Sequence, residues 1–388
     1  MRITGIRVTP VNIPLEAPLW WTGGLYPGTS KLVIEVQTDA ALIGLGEAPS
    51  TDLHSAVAAM GERLVGLDPL DIASCEERCV PPWQIVQNTD DATSIRAFGS
   101  IEIALWDIRG KAWNVPVYQL LGGAVRREVP FTEYFGFRQG REMRPEQVVE
   151  YCLRMRAEHG STYFEGKLIR GDWRLEVETV RQLREALGPH AMIRLDSNMQ
   201  YSVSTARVLL ARLEPFDIRN YEDPVASFEE LRALRQHSAI PFSTHTPDIR
   251  RAVAFGVPDF IVSNFAVLGG IGRAVRFIGA CEAMGVGFWC YSGDAGIATA
   301  AYLHVSAAMP WIVEPSQSLF RWQIADVIEG GPFRQTNNLV RVPDGPGLGV
   351  SLDRASLERL HRHFVKHGPL DHFHDPSRPG RYGRLPLA

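Results

Sequence analysis

Ile193-Arg194-Leu195-Asp196-Ser197-Asn198 and Asn220-Tyr221-Glu222-Asp223-Pro224 are two stretches built alike. Each runs from apolar or β-prone residues into an acid, then into a turn-forming or helix-starting stretch. A parallel β-strand that delivers a carboxylate at its carboxyl end reads this way. Asp196 and Glu222 lie 26 residues apart (222 − 196), about one βα repeat, which allows the two acids to lie side by side on neighbouring strands. Adjacent unpaired carboxylates repel unless a cation sits between them. The pair therefore points to a divalent-metal site.

The same rhythm extends in both directions. Strands are predicted at 129–135, 163–168, 191–196, 218–222, 240–244, 259–264, 286–291 and 311–314, each followed by a polar loop and, between strands, an amphipathic helix. Eight strands alternating with helices predict a closed parallel barrel. An open doubly wound sheet is the alternative, but no Gly-x-Gly-x-x-Gly follows a first strand. The Gly269-Gly270-Ile271-Gly272 run falls in the sixth unit.

The 388 residues exceed one ordinary domain. Residues 2–14 and 31–47 read as strands, with helices at 55–65 and 72–79 and a longer helical stretch from Ser100 to Gly123. The segment Leu15–Thr29 carries Trp20 and Trp21 and reads as a loop, either packed on the body or closing over a site as a lid. The expected division is an α+β capping domain at 1–125, completed by 336–388, and a barrel domain at 126–335. His372 and His374 lie in a Pro/Gly-rich tail and read as a solvated pair.

Composition narrows the class. Hydrophobic residues make up 45% and charged residues 22%, as in a globular protein with a large core. A net charge of −4, with scattered arginines, gives no argument for nucleic acid or an anionic membrane as partner. No 18-residue uncharged apolar stretch occurs, and the N-terminus alternates like a strand and not like a signal peptide. Five cysteines (75, 79, 152, 281 and 290) without a Cys-x-x-Cys read as reduced thiols of a cytoplasmic protein.

In such a barrel, chemistry belongs to the carboxyl ends of the strands. Those ends carry Glu165 and Lys167, Asp196, Glu222, His245, Asn264, Tyr291 and Glu314. Packing alone does not explain a lysine, several acids, a histidine and an asparagine on successive strand ends.

With Ala104-Leu-Trp-Asp-Ile-Arg-Gly-Lys111 running to Leu120-Leu-Gly-Gly123, Asp196-x-Asn198, Glu222-Asp-Pro224 and Gly269-Gly270, the chain resembles the enolase superfamily over nearly its whole length. The branch is that of mandelate racemase and the muconate-lactonising enzymes. The resemblance implies a modified TIM barrel, (β/α)7β, under an α+β capping domain. It also implies Mg2+ and removal of the proton α to a substrate carboxylate, a use of Lys or His with Mg2+ that is a stock case of tuned acid–base chemistry. Carried over by position, Asp196 and Glu222 become metal ligands, Lys167 the base, and Glu314 the eighth-strand acid that touches the substrate carboxylate. Relatives commonly form dimers or octamers, so a homo-oligomer is expected.

Departures from the pattern matter as much. Glu165 replaces the first lysine of the family's Lys-x-Lys, and a carboxylate there favours the charged form of Lys167. His245 stands where a third oxygen ligand is usual. It is either a metal ligand, pointing to Mn2+ or another borderline ion, or an acid/base on the rim, with Asp248 as a substitute ligand. Asn264 and Cys290-Tyr291 stand where a His–Asp dyad would be, which argues against two-base racemisation. One-base β-elimination of water from an acid sugar, an aldonate or aldarate, fits best, with Lys167 as base and His245 or Tyr291 as acid. Cycloisomerisation or epimerisation is the alternative, and a non-catalytic family member is the third reading. Asn198, Asn264, Glu165, Trp20, Trp21 and His54 are the expected substrate contacts, with Arg170 a candidate for a distal carboxylate.

Overall fold

Residues 3–21 alternate well past the predicted strand end. In the structure, a computed structural model describing residues 1–82, 92–291, 293–370 and 381, they form one long strand, β1 (Ile3–Trp21). It pairs antiparallel with β2 (Gly24–Thr38), which pairs with β3 (Ile43–Ala48). The expected loop at 15–29 is thus the tip of a hairpin, with Trp20 opposite Leu25 and Trp21 opposite Gly24. Its backbone is held by the barrel as well as by its own partner. Glu16 N–H donates to the Trp322 carbonyl at 2.7 Å and Trp20 N–H to the Phe137 carbonyl at 2.9 Å. A segment whose main chain is satisfied on both sides is strand, not loop.

Helices α1 (His54–Leu64), α2 (Ile72–Cys79) and α3 (Thr93–Trp113) cover this sheet. The helical stretch expected to run to Gly123 stops at Asn114, which takes a left-handed φ of 55° just before Pro116. A short α4 (Val117–Leu120) follows, then β4 (Glu128–Pro130), which leads into the barrel.

Barrel units follow in chain order: β5 (Glu133–Gly136), α5 (Pro145–His159), β6 (Tyr163–Lys167), α6 (Trp173–Leu187), β7 (Met192–Asp196), α7 (Val203–Leu213), β8 (Asn220–Glu222), α8 (Phe228–Arg235), β9 (Phe242–Thr244), α9 (Ile249–Phe255), β10 (Phe260–Ser263), α10 (Phe265–Leu268), α11 (Ile271–Met284), β11 (Gly287–Cys290) and α12 (Gly296–Ala308). Strands β5 to β11 are parallel and hydrogen-bonded in sequence order. The eighth position is filled differently from expectation. Trp311–Glu314 is not a strand: the Trp311 indole donates to the Val286 carbonyl at 2.7 Å and Val313 points to solvent. Closure comes three residues later. Ser316 N–H donates to the Pro130 carbonyl and Gln317 N–H to the Cys290 carbonyl, at 2.9 and 3.0 Å. The apolar run Trp311-Ile-Val imitated a strand, whereas the backbone that bridges β11 and the start of β5 is polar.

Strand β12 (Leu339–Arg341) pairs with β4, and α13 (Arg354–His367) returns to the antiparallel sheet, where Arg354 holds Glu35. Two buried carboxylates from the capping side reach into the barrel. Glu102 accepts from the N–H groups of Ile271 and Gly272 at 2.6 and 2.9 Å, and Glu47 from those of Ala295 and Ala298 at 2.7 and 3.0 Å. Each thus sits at the positive end of a helix, α11 or α12. Between them α3 lies so close to the Gly269–Gly270 turn that a Cβ on Gly99 would meet Gly270 N at 2.6 Å. These contacts set the cap over the carboxyl ends of the strands. No helix among the described residues is long and apolar enough to cross a membrane. The five cysteines are free and buried, and the His372/His374 tail lies outside the described residues.

Candidate active site

Side chains two apart on a strand face the same way. Glu165 and Lys167 on β6, Arg194 and Asp196 on β7, and Asn220 and Glu222 on β8 therefore form two stacked layers inside the barrel. In the β7–β8 register Asp196 stands directly opposite Glu222, the neighbourhood that their spacing predicts.

The upper layer is crowded with carboxylates. Lys167 Nζ donates to Asp196 Oδ2 and, at 2.5 Å, to Asn198 Oδ1. Asn198 closes the triangle with its own N–H on Asp196 Oδ1 at 2.8 Å. Glu222 is buried, and its Oε2 has no hydrogen-bond partner; nor has Asp223 Oδ1. Burial, and then the charges of Asp196, Glu165 and Asp223, hold the Glu222 carboxyl well above the usual carboxylate range. His245, its side chain 47% exposed, sets Nδ1 against Asp223 Oδ2. Burial of the ring's inner side would lower its pKa, but the hydrogen bond and charge of Asp223 outweigh this and raise it.

Glu222, Asp223 and His245 each offer a ligand atom within 4.8 Å of the others. Orphaned buried oxygens beside a half-exposed imidazole are what a divalent cation would satisfy. The donor set fits such an ion. It also gains Asp223, which the sequence reading left out, while Asp196 is engaged by Lys167. Asp248, the suggested substitute, is occupied elsewhere: its side chain caps α9 by accepting from Arg251 N–H at 3.0 Å.

Above the layer lies a cavity of about 630 Å³ between cap and barrel. Lys167, Asn198, Asn264 and Tyr291 line its floor. Asn264 also caps α10 through Val267 N–H at 2.9 Å. Burial first, and then Tyr26 and Asp294, push the Tyr291 hydroxyl far up, so it is a neutral donor at physiological pH. Tyr134, another buried phenol raised in the same way, lies beside it.

Four expected substrate contacts lie elsewhere. Glu165 is one layer too deep, its carboxylate held by Arg194 and Gln317, each at 2.5 Å, and by Thr132 at 3.2 Å. It does not touch Lys167. Glu314 pairs with Arg219, just before β8, at the amino end of the barrel. Gln317 is the residue of the closing segment that lines the cavity. Trp20 is turned toward the barrel wall beneath Arg170, whereas its neighbour Trp21, also an expected contact, lines the cavity. His54 is exposed at the start of α1, outside the cavity lining. Arg170 itself donates to the Met143 carbonyl at 2.5 Å and stacks over Trp20 and Phe137. Lys31 and Asp52, both lining the cavity, went unremarked in the sequence, because nothing local distinguishes them from a strand lysine and a loop aspartate.

Comparison with known proteins agrees with this geometry. Residues 3–122 match the N-terminal domain of mandelate racemase / muconate lactonizing enzyme, and residues 147–356 the enolase C-terminal domain-like family. A probable glucarate dehydratase of Streptomyces coelicolor is 28% identical, covering 94% of this chain and 92% of its own. The D-galactarolactone cycloisomerase of Agrobacterium fabrum is 26% identical over 92% of this chain and 98% of its own. An enolase from Pseudomonas fluorescens, crystallised with magnesium, potassium and tartrate, superposes with a TM-score of 0.89 at 26% identity. That match covers 99% of this chain and 98% of the other. The chain belongs to the enolase superfamily, in the branch of mandelate racemase and the muconate-lactonizing enzymes.

Proposed function

We propose that this protein is a divalent-metal-dependent hydro-lyase that removes water from an acid sugar, with Mg2+ as its ordinary ion. One observation carries the reading: the floor of the cavity offers a single amine base, Lys167, together with a neutral phenol, Tyr291. Glu222, Asp223 and His245, with Asp196 beside them, would hold the ion. When bound, it would neutralise charge that builds on the substrate carboxylate as the α proton leaves.

In this mechanism Lys167 Nζ accepts the proton from Cα, and the C–H electrons form the Cα=Cβ bond. The Cβ–O bond breaks, and Tyr291 gives its proton to the departing hydroxide, so water leaves. The enol then tautomerises to the 2-keto-3-deoxy acid. Asp196 and Asn198 hold the Lys167 ammonium once it has taken the proton, and that proton passes to the Tyr291 phenolate before the next turnover. The buried walls keep bulk water from the carbanion-like state. Tyr291 suits the acid role better than His245, because it lines the cavity, whereas His245 is paired with Asp223 and is not among the lining residues.

Incubation with Mg2+ or Mn2+ and a panel of sugar acids, followed by detection of 2-keto acid, tests the proposal. No keto acid from any of them, with the ion bound, would count against it. Cycloisomerisation is the second reading, supported by the Agrobacterium relative and needing the same single base. Solvent deuterium at Cα without keto acid would favour it. We further propose a cytoplasmic homo-oligomer whose capping and barrel domains meet near residue 125.

A further inference from the structure

The charges on the cavity wall narrow the substrate class within that dehydratase reading, on which this inference rests. Among the described lining residues only Lys167, Lys31 and Asp52 carry formal charge. Lys31 reaches the cavity from β2, but its ammonium is already committed. It donates to Asp294 Oδ1 at 2.5 Å and to the Pro49 carbonyl at 3.2 Å, and its side chain is 5% exposed. Asp294 cancels its charge. Glu47 behind it, pushed up to about 8 by burial and by Asp294, adds little charge at neutral pH.

Asp52 is different. It is exposed in the short turn Thr51–Leu53, where Ser50 Oγ donates to Asp52 Oδ2 at 3.0 Å and accepts from the Asp52 N–H at 3.2 Å. No cation pairs with it among the described residues. Arg170, the natural candidate for a second carboxylate, faces away from the cavity. The capping wall therefore offers hydroxyls, one acceptor carboxylate and a neutralised lysine. A polyhydroxylated, uncharged tail can donate to Asp52 and accept from the remaining N–H of Lys31, a group with three donors. A second carboxylate would meet Asp52 with no uncommitted cation on the capping wall among the described lining residues to offset it.

We propose that the site takes aldonates, sugar acids with one carboxylate, in preference to aldarates, and that Asp52 sets this preference. The relatives named for glucarate and galactarolactone do not suggest this; the wall of this chain does. Repulsion between two partly hydrated carboxylates a few ångströms apart amounts to roughly a tenfold to hundredfold discrimination.

The test compares matched pairs, gluconate with glucarate and galactonate with galactarate. Two readouts are used: kcat/KM for keto-acid release by the Mg2+-loaded enzyme, and calorimetric binding to Mg2+-loaded Lys167→Met, whose turnover is expected to be too slow to disturb the measurement. The expected result is at least a tenfold preference for an aldonate over its aldarate partner. Asp52→Asn should narrow that ratio about tenfold and Asp52→Lys should reverse it; both changes lie in an exposed turn, and melting curves verify folding. An aldarate preferred or equal in the unaltered protein overturns the inference, as does a ratio that neither Asp52 variant moves. Keto acid released from aldarates alone would sink this inference and leave the dehydratase reading standing. No keto acid from any sugar acid would sink that reading, and the binding ratio would still decide this one: a preference for aldonates upholds it, and no binding of either kind overturns it.

Discussion

Two layers of the same barrel, two residues apart on the same strands, are built on opposite principles. In the lower layer charges are matched. Glu165 is held by Arg194, Gln317 and Thr132, and Arg194 also donates to the Pro315 carbonyl and stacks over Trp289 at 4.2 Å. Asn220 is locked by Ser243 Oγ at 2.7 Å. In the upper layer Asp196, Glu222 and Asp223 share one lysine and one half-exposed histidine, and buried oxygens stand without partners. Both Glu165 oxygens have donors. Arg194 Nε and Nη1, which make no hydrogen bond, belong to a guanidinium lying over the Trp289 ring. Glu222 Oε2 and Asp223 Oδ1, by contrast, have no donor, an arrangement tolerated where a ligand completes it. The lower layer is the platform and the upper layer is the proposed site.

Breaking the upper layer should cost chemistry and not folding. Glu222→Gln should abolish stabilisation by Mg2+, roughly 2–3 kcal/mol in the unaltered protein at 100 times Kd. It should also reduce turnover by more than about 10³-fold, as loss of a required ion would. Melting curves with and without Mg2+ measure the first effect, and a Mg2+ shift that survives in this variant would remove Glu222 from the ligand set. Lys167→Met should lower kcat by about 10²–10⁴-fold, the range for a lost general base, while keeping the Mg2+ shift. Turnover within tenfold of the unaltered protein would move the base elsewhere or point to a chain without this chemistry.

The lower layer should respond in the reverse way. Arg194→Met strands Glu165 as a buried unpaired charge, and a loss of about 3–5 kcal/mol in denaturant stability is expected. A variant as stable as its parent would show that the Glu165–Arg194 pair is not what holds the platform.

The outer face of these strands supplies the smallest effect. Glu176 accepts from the hydroxyls of Tyr201 and Tyr221 at 2.8 and 2.5 Å, and burial pushes its carboxyl up to about 7. Its folded pKa is raised above the unfolded value, so its contribution is full below about pH 4.5 and is lost as pH rises through 7. The full change is about 3 kcal/mol at most. Glu176→Gln should flatten that part of the metal-free stability profile between pH 4.5 and 8; an unchanged slope would assign the dependence to another group.

Much of the platform was legible because strand period and helix period are local. Seven of the eight predicted strands overlap barrel strands, and the Asp196–Glu222 pairing followed from one repeat length. Trp311-Ile-Val read as the eighth strand because an apolar run looks the same whether or not its backbone has a partner. The hairpin tip was missed for the complementary reason: Pro14, Pro18 and the glycines signal a loop, yet barrel carbonyls and amides complete its hydrogen bonds. Glu165 was placed beside Lys167 correctly as to face but not as to depth, since its partner Arg194 comes from a strand 29 residues away.

By itself, then, the sequence determined that acids, a lysine and a histidine end successive parallel strands, because periodicity fixes which face and which end a side chain occupies. Only the tertiary structure decided which of them remain unsatisfied. It set Glu165 against Arg194, sent Glu314 to Arg219, joined Asp223 to His245, and brought Lys31 and Asp52 down from the cap. Charge compensation depends on neighbours across space. Whether a carboxylate is structural or free to act is therefore settled by packing and not by spacing along the chain.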